Sequence, residues 1–173
     1  MIVRIVAINK SASYRPRLEI YTDGSCKPNP GKGGAASILL KNDKVIFKRH
    51  HFQPFATNQS MELMAMLLGM NSLRTFVIEN PNSNGYRVNL FTDSRYVKDG
   101  IMFWMKDWKR NGWTKGKGES ISNIGLWMAI DELMFMLDNL NIRLRFHWVK
   151  SHNGNKYNEM ADKEAEYARN LCF

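Results

Sequence analysis

The chain has 173 residues, 44% hydrophobic and 24% charged, which gives one globular domain with a sizeable core and excludes a fibrous or disordered chain. The formal net charge of +9 favours a polyanionic partner, nucleic acid foremost. Two cysteines, Cys26 and Cys172, leave one disulfide open but form neither a dense disulfide framework nor a zinc-type cluster, and so fit a reducing compartment.

In chain order, Ile2 to Ile8 is too short and too interrupted for a signal peptide or membrane span, so a cytoplasmic protein with no membrane partner is expected. Met1 to Pro16 reads as an N-terminal extension, a short extra strand and then a loop, ahead of a domain over 17–173. Leu18, Ile20 and Thr22 alternate with Glu19, Tyr21 and Asp23 at the period of a strand. A Gly- and Pro-rich loop follows, then two strands, Ala35 to Leu40 and Val45 to Phe52, turning at Lys41–Lys44. These three strands are predicted to be antiparallel, in meander order. Thr57, Asn58 and Ser60 are candidate N-caps for a buried helix over Met61–Phe76, rich in Met, Leu and Ala, with Glu62 in its first turn. Arg87 to Asp93 is another strand, and a helix begins in Ser94–Met105. From Trp104 to Gly118, three tryptophans interleave with five Lys or Arg, as in surfaces that grip phosphates and pack on bases; the plainer alternative makes the tryptophans core and the lysines a solvated face. Ser122-Asn123 opens a helix over Ile124–Asn139, and a strand spans Ile142–Lys150. A polar loop over His152–Asn158 leads to a last helix starting near Asn158, with Asp162 in its first turns.

Two stretches repeat one pattern: Ile20-Tyr21-Thr22-Asp23-Gly24-Ser25 and Leu90-Phe91-Thr92-Asp93-Ser94. On parallel neighbouring strands, Asp23 and Asp93 emerge together, and two such anions need a proton or a cation between them. The order strand-Asp, helix-Glu, strand-Asp, helix-Asp, with His152 ahead of the last acid, suits a two-metal phosphodiesterase. Each helix acid alone has the simpler reading of complementing a helix dipole.

From about Arg17 to Ala168 the chain resembles the type 1 ribonuclease H (ribonuclease HI) family. The motifs that carry the resemblance are Tyr-Thr-Asp-Gly-Ser with Pro28-Asn29-Pro30-Gly31, Thr57-Asn58-Gln59-Ser60-Met61-Glu62, Thr92-Asp93-Ser94-Arg95-Tyr96-Val97, and Val149-Lys150-Ser151-His152 followed by Asn158 and Asp162. The resemblance implies an α/β ribonuclease H-like fold: a five-stranded mixed sheet, three strands antiparallel and then two parallel, flanked by helices, with a basic protrusion. It implies a monomer that hydrolyses the RNA strand of RNA/DNA hybrids with two Mg²⁺ per site, Mn²⁺ able to substitute, leaving 5′-phosphate and 3′-hydroxyl ends. Asp23, Glu62, Asp93 and Asp162 would be the metal-binding carboxylates, and His152 the mobile catalytic loop histidine. Asp23 would bridge both ions, Asp93 would help hold the one that activates water, and Glu62 and Asp162 would hold the other. Thr57 would belong to a DNA phosphate pocket. Ser25, Asn29, Asn58 and Gln59 would contact the hybrid, with Gly24, Arg95 and Asn158 in the same motifs. Trp104, Trp108, Lys109 and Arg110 would form the DNA-gripping protrusion. The rivals are another nuclease on the same fold, such as a junction resolvase, and a non-catalytic hybrid-binding module.

Overall fold

The structure, a computed structural model, describes residues 17–81 and 85–171. The expected N-terminal extension, part of the Asn80–Gly85 loop and Cys172 lie outside these residues. Five strands form one sheet: β1 (Leu18–Cys26), β2 (Gly31–Lys41), β3 (Lys44–Ala56), β4 (Arg87–Thr92) and β5 (Arg143–Trp148), in the order β3-β2-β1-β4-β5. β1, β2 and β3 are antiparallel neighbours, while β4 runs parallel to β1 and β5 parallel to β4. This is the mixed sheet that the resemblance implies, with the antiparallel meander that the strand periods predict.

The period-2 pattern decides which face each side chain enters. Leu18, Ile20, Leu39, Val88 and Leu90 point into the main core. There they meet α1 (Asn58–Glu79) and α4 (Ile124–Asn139), which pack against each other. Tyr21, Ile38 and Leu40 point the other way, to Ala161 of α5 (Lys156–Asn170), which lies across β1, β2 and β3. β1 is thus buried on both faces, whereas β3, at the sheet edge, is largely exposed. By length and composition α1 could cross a membrane, but here it is buried as a core helix between the sheet and α4.

Capping shifts two predicted helix starts. Thr57 caps α1, its Oγ1 accepting from Ser60 N–H while Ser60 Oγ accepts from Thr57 N–H. The helix therefore begins three residues before Met61, and Glu62 lies in its second turn, beyond the free N–H groups of the first. Asn155 caps α5, accepting from the N–H groups of Tyr157 and Asn158, so Asn158 is inside the helix. After β4 the chain forms α2 (Arg95–Asp99), a π-helical turn over Gly100–Trp104, and α3 (Met105–Arg110). A Cβ on Gly100 would lie 2.0 Å from the Trp127 ring, so glycine leaves the space that this fully buried indole fills. A short 3₁₀ turn, Gly116–Gly118, precedes α4.

The side of α5 that faces β3 carries a buried acid, Glu164. Its carboxylate is 2.6 Å from Lys48 Nζ and 2.7 Å from His50 Nδ1. Burial pushes Glu164 up, but the hydrogen bonds and charges of Lys48 and His50 more than offset this and hold it below its ordinary 4.5. A carboxylate held low adds stability above its unfolded pKa, and the contribution is lost as pH falls through the folded value. Glu164→Gln is therefore expected to cost about 1–3 kcal/mol at neutral pH, the worth of charged hydrogen bonds. The deficit should close as pH drops below the carboxylate range. Urea midpoints for both proteins across that range check this, and a deficit independent of pH would contradict it.

Candidate active site

β1 and β4 pair in parallel from Leu18↔Val88 to Thr22↔Thr92, so the next residue on each, Asp23 and Asp93, leaves the same end of the sheet side by side. α1 supplies the third acid. Oxygens of Asp23, Glu62 and Asp93 all lie within 4.8 Å of one another. Gly24 makes the approach of β1 and α1 possible, since a Cβ there would lie 2.4 Å from the Glu62 backbone nitrogen. Its own N–H donates to the Glu62 carboxylate.

Asp23 and Glu62 are each only 6% exposed. Burial, then the charges of Asp93 and Asp162, push Asp23 up to about 9. Burial and the charges of Asp23 and Asp93 likewise raise Glu62 well above its usual range, against the Gly24 hydrogen bond. Glu62 Oε2 is buried without a hydrogen-bond partner among the described residues. An all-carboxylate set with an orphaned oxygen suits a hard divalent cation such as Mg²⁺ or Mn²⁺.

Asp162, on α5, stands outside that triad but close enough to hydrogen-bond Asp23. Glu62 lies with Asp23 and Asp93, and Asp162 approaches from the Asp23 side while its charge still reaches Glu62. His152 is 74% exposed on the loop before α5, with Nδ1 3.7 Å from Asp162 Oδ2. Asn158, 2% exposed, donates from Nδ2 to Asp93 Oδ2 at 3.3 Å and leaves its own Oδ1 unpartnered. Trp148 Nε1 donates to the Asp93 carbonyl at 2.9 Å, and the Arg95 guanidinium lies over the Trp148 ring. The end of β1 and the loop after it are tied in as well. Ser25 Oγ accepts from Arg169 at 2.6 Å, and Asn29 Oδ1 accepts from the Asn58 N–H at 3.0 Å.

Beside the acids is an aromatic cleft of about 450 Å³, lined by Gln59, Tyr96, Trp104, Trp108, Lys115 and Ser122. Of the three tryptophans in the basic stretch, Trp108 and Trp113 pack against the core and Trp104 is partly exposed, while Trp127 of α4 is fully buried. Two of the cations expected to grip a partner are engaged internally. Lys109 pairs with Asp131 at 2.7 Å, and Arg110 contacts Asp107 at 3.5 Å. Lys115 lines the cleft in their place. Tyr96 was not singled out from the sequence, although it sits in the Thr-Asp-Ser-Arg-Tyr motif. Its hydroxyl accepts from Trp127 Nε1 at 3.1 Å and its ring forms part of the cleft wall.

The sheet order and the acids at the carboxyl end of the parallel β1–β4 pairing define the ribonuclease H-like class of α/β proteins. The profile of the RNase H family matches residues 15–170, so the chain belongs to that family. It is 40% identical over 148 residues to a Ribonuclease H of Legionella pneumophila strain Lens, covering 84% of this chain and 92% of the relative. With a Ribonuclease H of Hahella chejuensis it shares 39% identity over 150 residues, 86% and 90% of the two chains. Among solved structures, LC9-RNase H1, described as a type 1 RNase H with the type 2 active-site motif, superposes with a TM-score of 0.70 at 26% identity, covering 90% of this chain and 72% of that one. LC11-RNase H1 in complex with an RNA/DNA hybrid shares the fold with a TM-score of 0.62 at 16% identity, covering 88% and 99%.

In the unfolded chain Asp23 is ionised above its ordinary 3.8, whereas in the metal-free fold it keeps its proton to about 9. Folding takes up a proton between these values, so the metal-free protein loses stability as pH rises through that window. Asp23→Asn is expected to stabilise the metal-free protein at neutral pH by at least about 1 kcal/mol, a sign opposite to that of most substitutions. The gain should vanish below the ordinary carboxylate pKa. Urea unfolding in chelator at acid and neutral pH checks the sign, and a destabilised variant at neutral pH would contradict it.

Proposed function

We propose that this protein is an endoribonuclease that hydrolyses the RNA strand of RNA/DNA hybrids, acting as a monomer and leaving 5′-phosphate and 3′-hydroxyl ends. The observation that carries the reading is the trio of Asp23, Glu62 and Asp93, with ligand oxygens within 4.8 Å at the carboxyl end of a parallel strand pair, in a chain of the RNase H family. Support for the hybrid comes from a relative's structural complex and from the aromatic, lysine-bearing cleft beside the acids.

On this reading Asp23, Glu62, Asp93 and Asp162 hold two divalent cations, Mg²⁺ with Mn²⁺ able to substitute. When bound, these supply the positive charge that lets all four acids ionise together, activate water and neutralise the leaving oxygen. The chain's own residues fix the arrangement. Gly24 N–H holds one side of the Glu62 carboxylate, and Asn158 and Trp148 hold the side chain and carbonyl of Asp93. Asn158 Oδ1, buried and free to accept, can orient a water proton at the cluster. His152, on the exposed loop and within reach of Asp162, is the group placed to carry a proton between the site and bulk water. Gln59, Tyr96 and Trp104 receive the DNA strand in the cleft, while the 2′-hydroxyls of RNA mark the strand that is cut. Contacts of this kind read backbone and groove shape, so sequence preference is weak.

Labelled RNA/DNA hybrid, single-stranded RNA, duplex RNA and duplex DNA, each incubated with Mg²⁺, test the reading. Only the RNA of the hybrid should be cut. Asp23→Asn and Glu62→Gln should each lower the rate by more than about 100-fold, the ceiling for losing mere outer support of a metal. His152→Ala should cost about 100-fold or more while hybrid affinity stays unchanged, as for loss of a proton carrier. Tight hybrid binding without cutting in Mg²⁺ or Mn²⁺ would move the protein to the binding-module class.

A further inference from the structure

The sheet face that α5 covers is covered only in part. α5 lies over β1, β2 and β3. β4 and β5 turn Val88, Leu90, Leu144 and Phe146 toward the main core, so their alternate residues lie on the opposite face, where Phe91 stacks on Tyr21 beside the α5-covered cluster and Arg87, Arg143, Arg145 and His147 are exposed. Register pairs Arg87 with Arg143, Asn89 with Arg145, and Phe91 with His147. Two contacts fix this face: His147 Nε2 lies 3.0 Å from Asn89 Oδ1, and the His147 and Phe91 rings stack at 4.9 Å.

Arg87, Arg143 and Arg145 are exposed, and none has an ion-pair partner among the described residues. Elsewhere the chain pairs its cations readily: Arg17 with Asp43 and Glu19, Lys48 with Glu164, Lys109 with Asp131 and Arg169 with Glu166. Glu19, which shares the row of Asn89, is already engaged by Arg17, and Asp138 lines a groove with Arg143 without forming an ion pair. Arg87 and Arg143 are direct neighbours across a strand pair with a spacing of about 4.8 Å. Like charges so placed repel, and an anion between them removes the penalty.

We propose that this open face is a second nucleic-acid site, which binds the phosphodiester backbone of single-stranded RNA continuous with the RNA strand of the hybrid. The inference rests on the proposed activity, which puts the RNA strand at the carboxylates. β4 links the two places: its register positions climb from Arg87 through Asn89 and Phe91 to Asp93, six residues or about 20 Å at strand rise. The face supplies guanidinium groups for phosphates and the exposed His147 ring, backed by Phe91, for a base. The DNA strand is assigned to the cleft formed by α1, α2 and α3, on the side of Gln59 and Trp104. A flanking stretch of RNA therefore meets cations that the duplex grip does not use.

The test uses the full chain and three labelled substrates: a blunt hybrid, the same hybrid with a single-stranded RNA overhang at either end of the RNA strand, and the same hybrid with equivalent DNA overhangs. Each overhang has about 8 nucleotides, within the usual span of a single-strand site. Affinity is measured in chelator against salt, for the wild type and for the combined variant Arg87→Gln, Arg143→Gln, Arg145→Gln. With the RNA overhang at one end, the slope of log affinity on log salt should be steeper than for blunt hybrid by about 2, the counterion release expected for three contacts to a single strand. That difference should disappear in the triple variant, whose blunt-hybrid affinity, cleavage in Mg²⁺ and thermal midpoint stay at wild-type values. A triple Lys variant keeps the charges and should retain the overhang effect. Equal slopes for overhang and blunt hybrids in the wild type, an overhang effect that survives the triple Gln variant, or an effect confined to the DNA overhang would each overturn the proposal. Failure to cut the blunt hybrid in Mg²⁺ would instead sink the activity on which it rests.

Discussion

The constraint on which the rest of the site depends is the crowding of like charge at the end of the β1–β4 pair. Parallel pairing leaves no freedom in it: once Thr22 lies beside Thr92, the next side chains are two carboxylates held together where water is scarce. α1 then brings Glu62 into the same space, and the group responds as buried anions must, with Asp23 pushed up to about 9 and Glu62 raised alongside it. A fold seeking stability alone would not keep three acids within 4.8 Å. What opposes the repulsion is rigid scaffolding: β1 buried on both faces, the Gly24 backbone close against α1, and the Asp93 carbonyl held by the Trp148 indole.

That scaffolding also explains why the acids come from four different elements. Asp23 and Asp93 are fixed by hydrogen-bonded strands, Glu62 by a helix whose start is set by the Thr57–Ser60 capping box, and Asp162 by a helix capped at Asn155. Asp162 stands outside the tight trio, on α5 beside the exposed histidine loop. In the proposed reaction this arrangement suits a site that must keep one set of ligands still while the product side opens toward His152.

Much of this was legible in the sequence because it is carried by local patterns. The repeated aliphatic-aromatic-Thr-Asp-small segment fixes both the strand period and the place of the carboxylates, and the three antiparallel strands, the buried Met- and Leu-rich helix and the order of acids follow from periodicity and turn residues. What stayed hidden depends on tertiary contact. Thr57, Asn58 and Ser60 are equally good caps by composition, and only the reciprocal hydrogen bonds of Thr57 and Ser60 choose among them, moving Glu62 into the second turn. Lys109 read as a cation open to a partner because Asp131 is 22 residues away along the chain, yet it lies 2.7 Å from Lys109 in the fold. The grouping of Glu62 with Asp23 and Asp93 needs three elements to be packed before it exists at all.

The first turns of α1 join the two halves of the proposed function. Gln59 lines the aromatic cleft and Glu62 belongs to the acid trio, and residues three apart on a helix have Cβ atoms about 5–6 Å from each other. One helical turn therefore separates the surface that receives one strand from the group that acts on the other, and the capping box that fixes the start of α1 fixes both at once. The offset is held by the capping-box hydrogen bonds of Thr57 and Ser60 and by the contact of Gly24 with the helix. In the proposed function, a duplex held in the cleft would be presented to the acids at a set depth. On the proposed reading, selectivity for a hybrid arises from the need to satisfy both surfaces simultaneously, one wanting a strand it can stack against and the other a strand that carries 2′-hydroxyls.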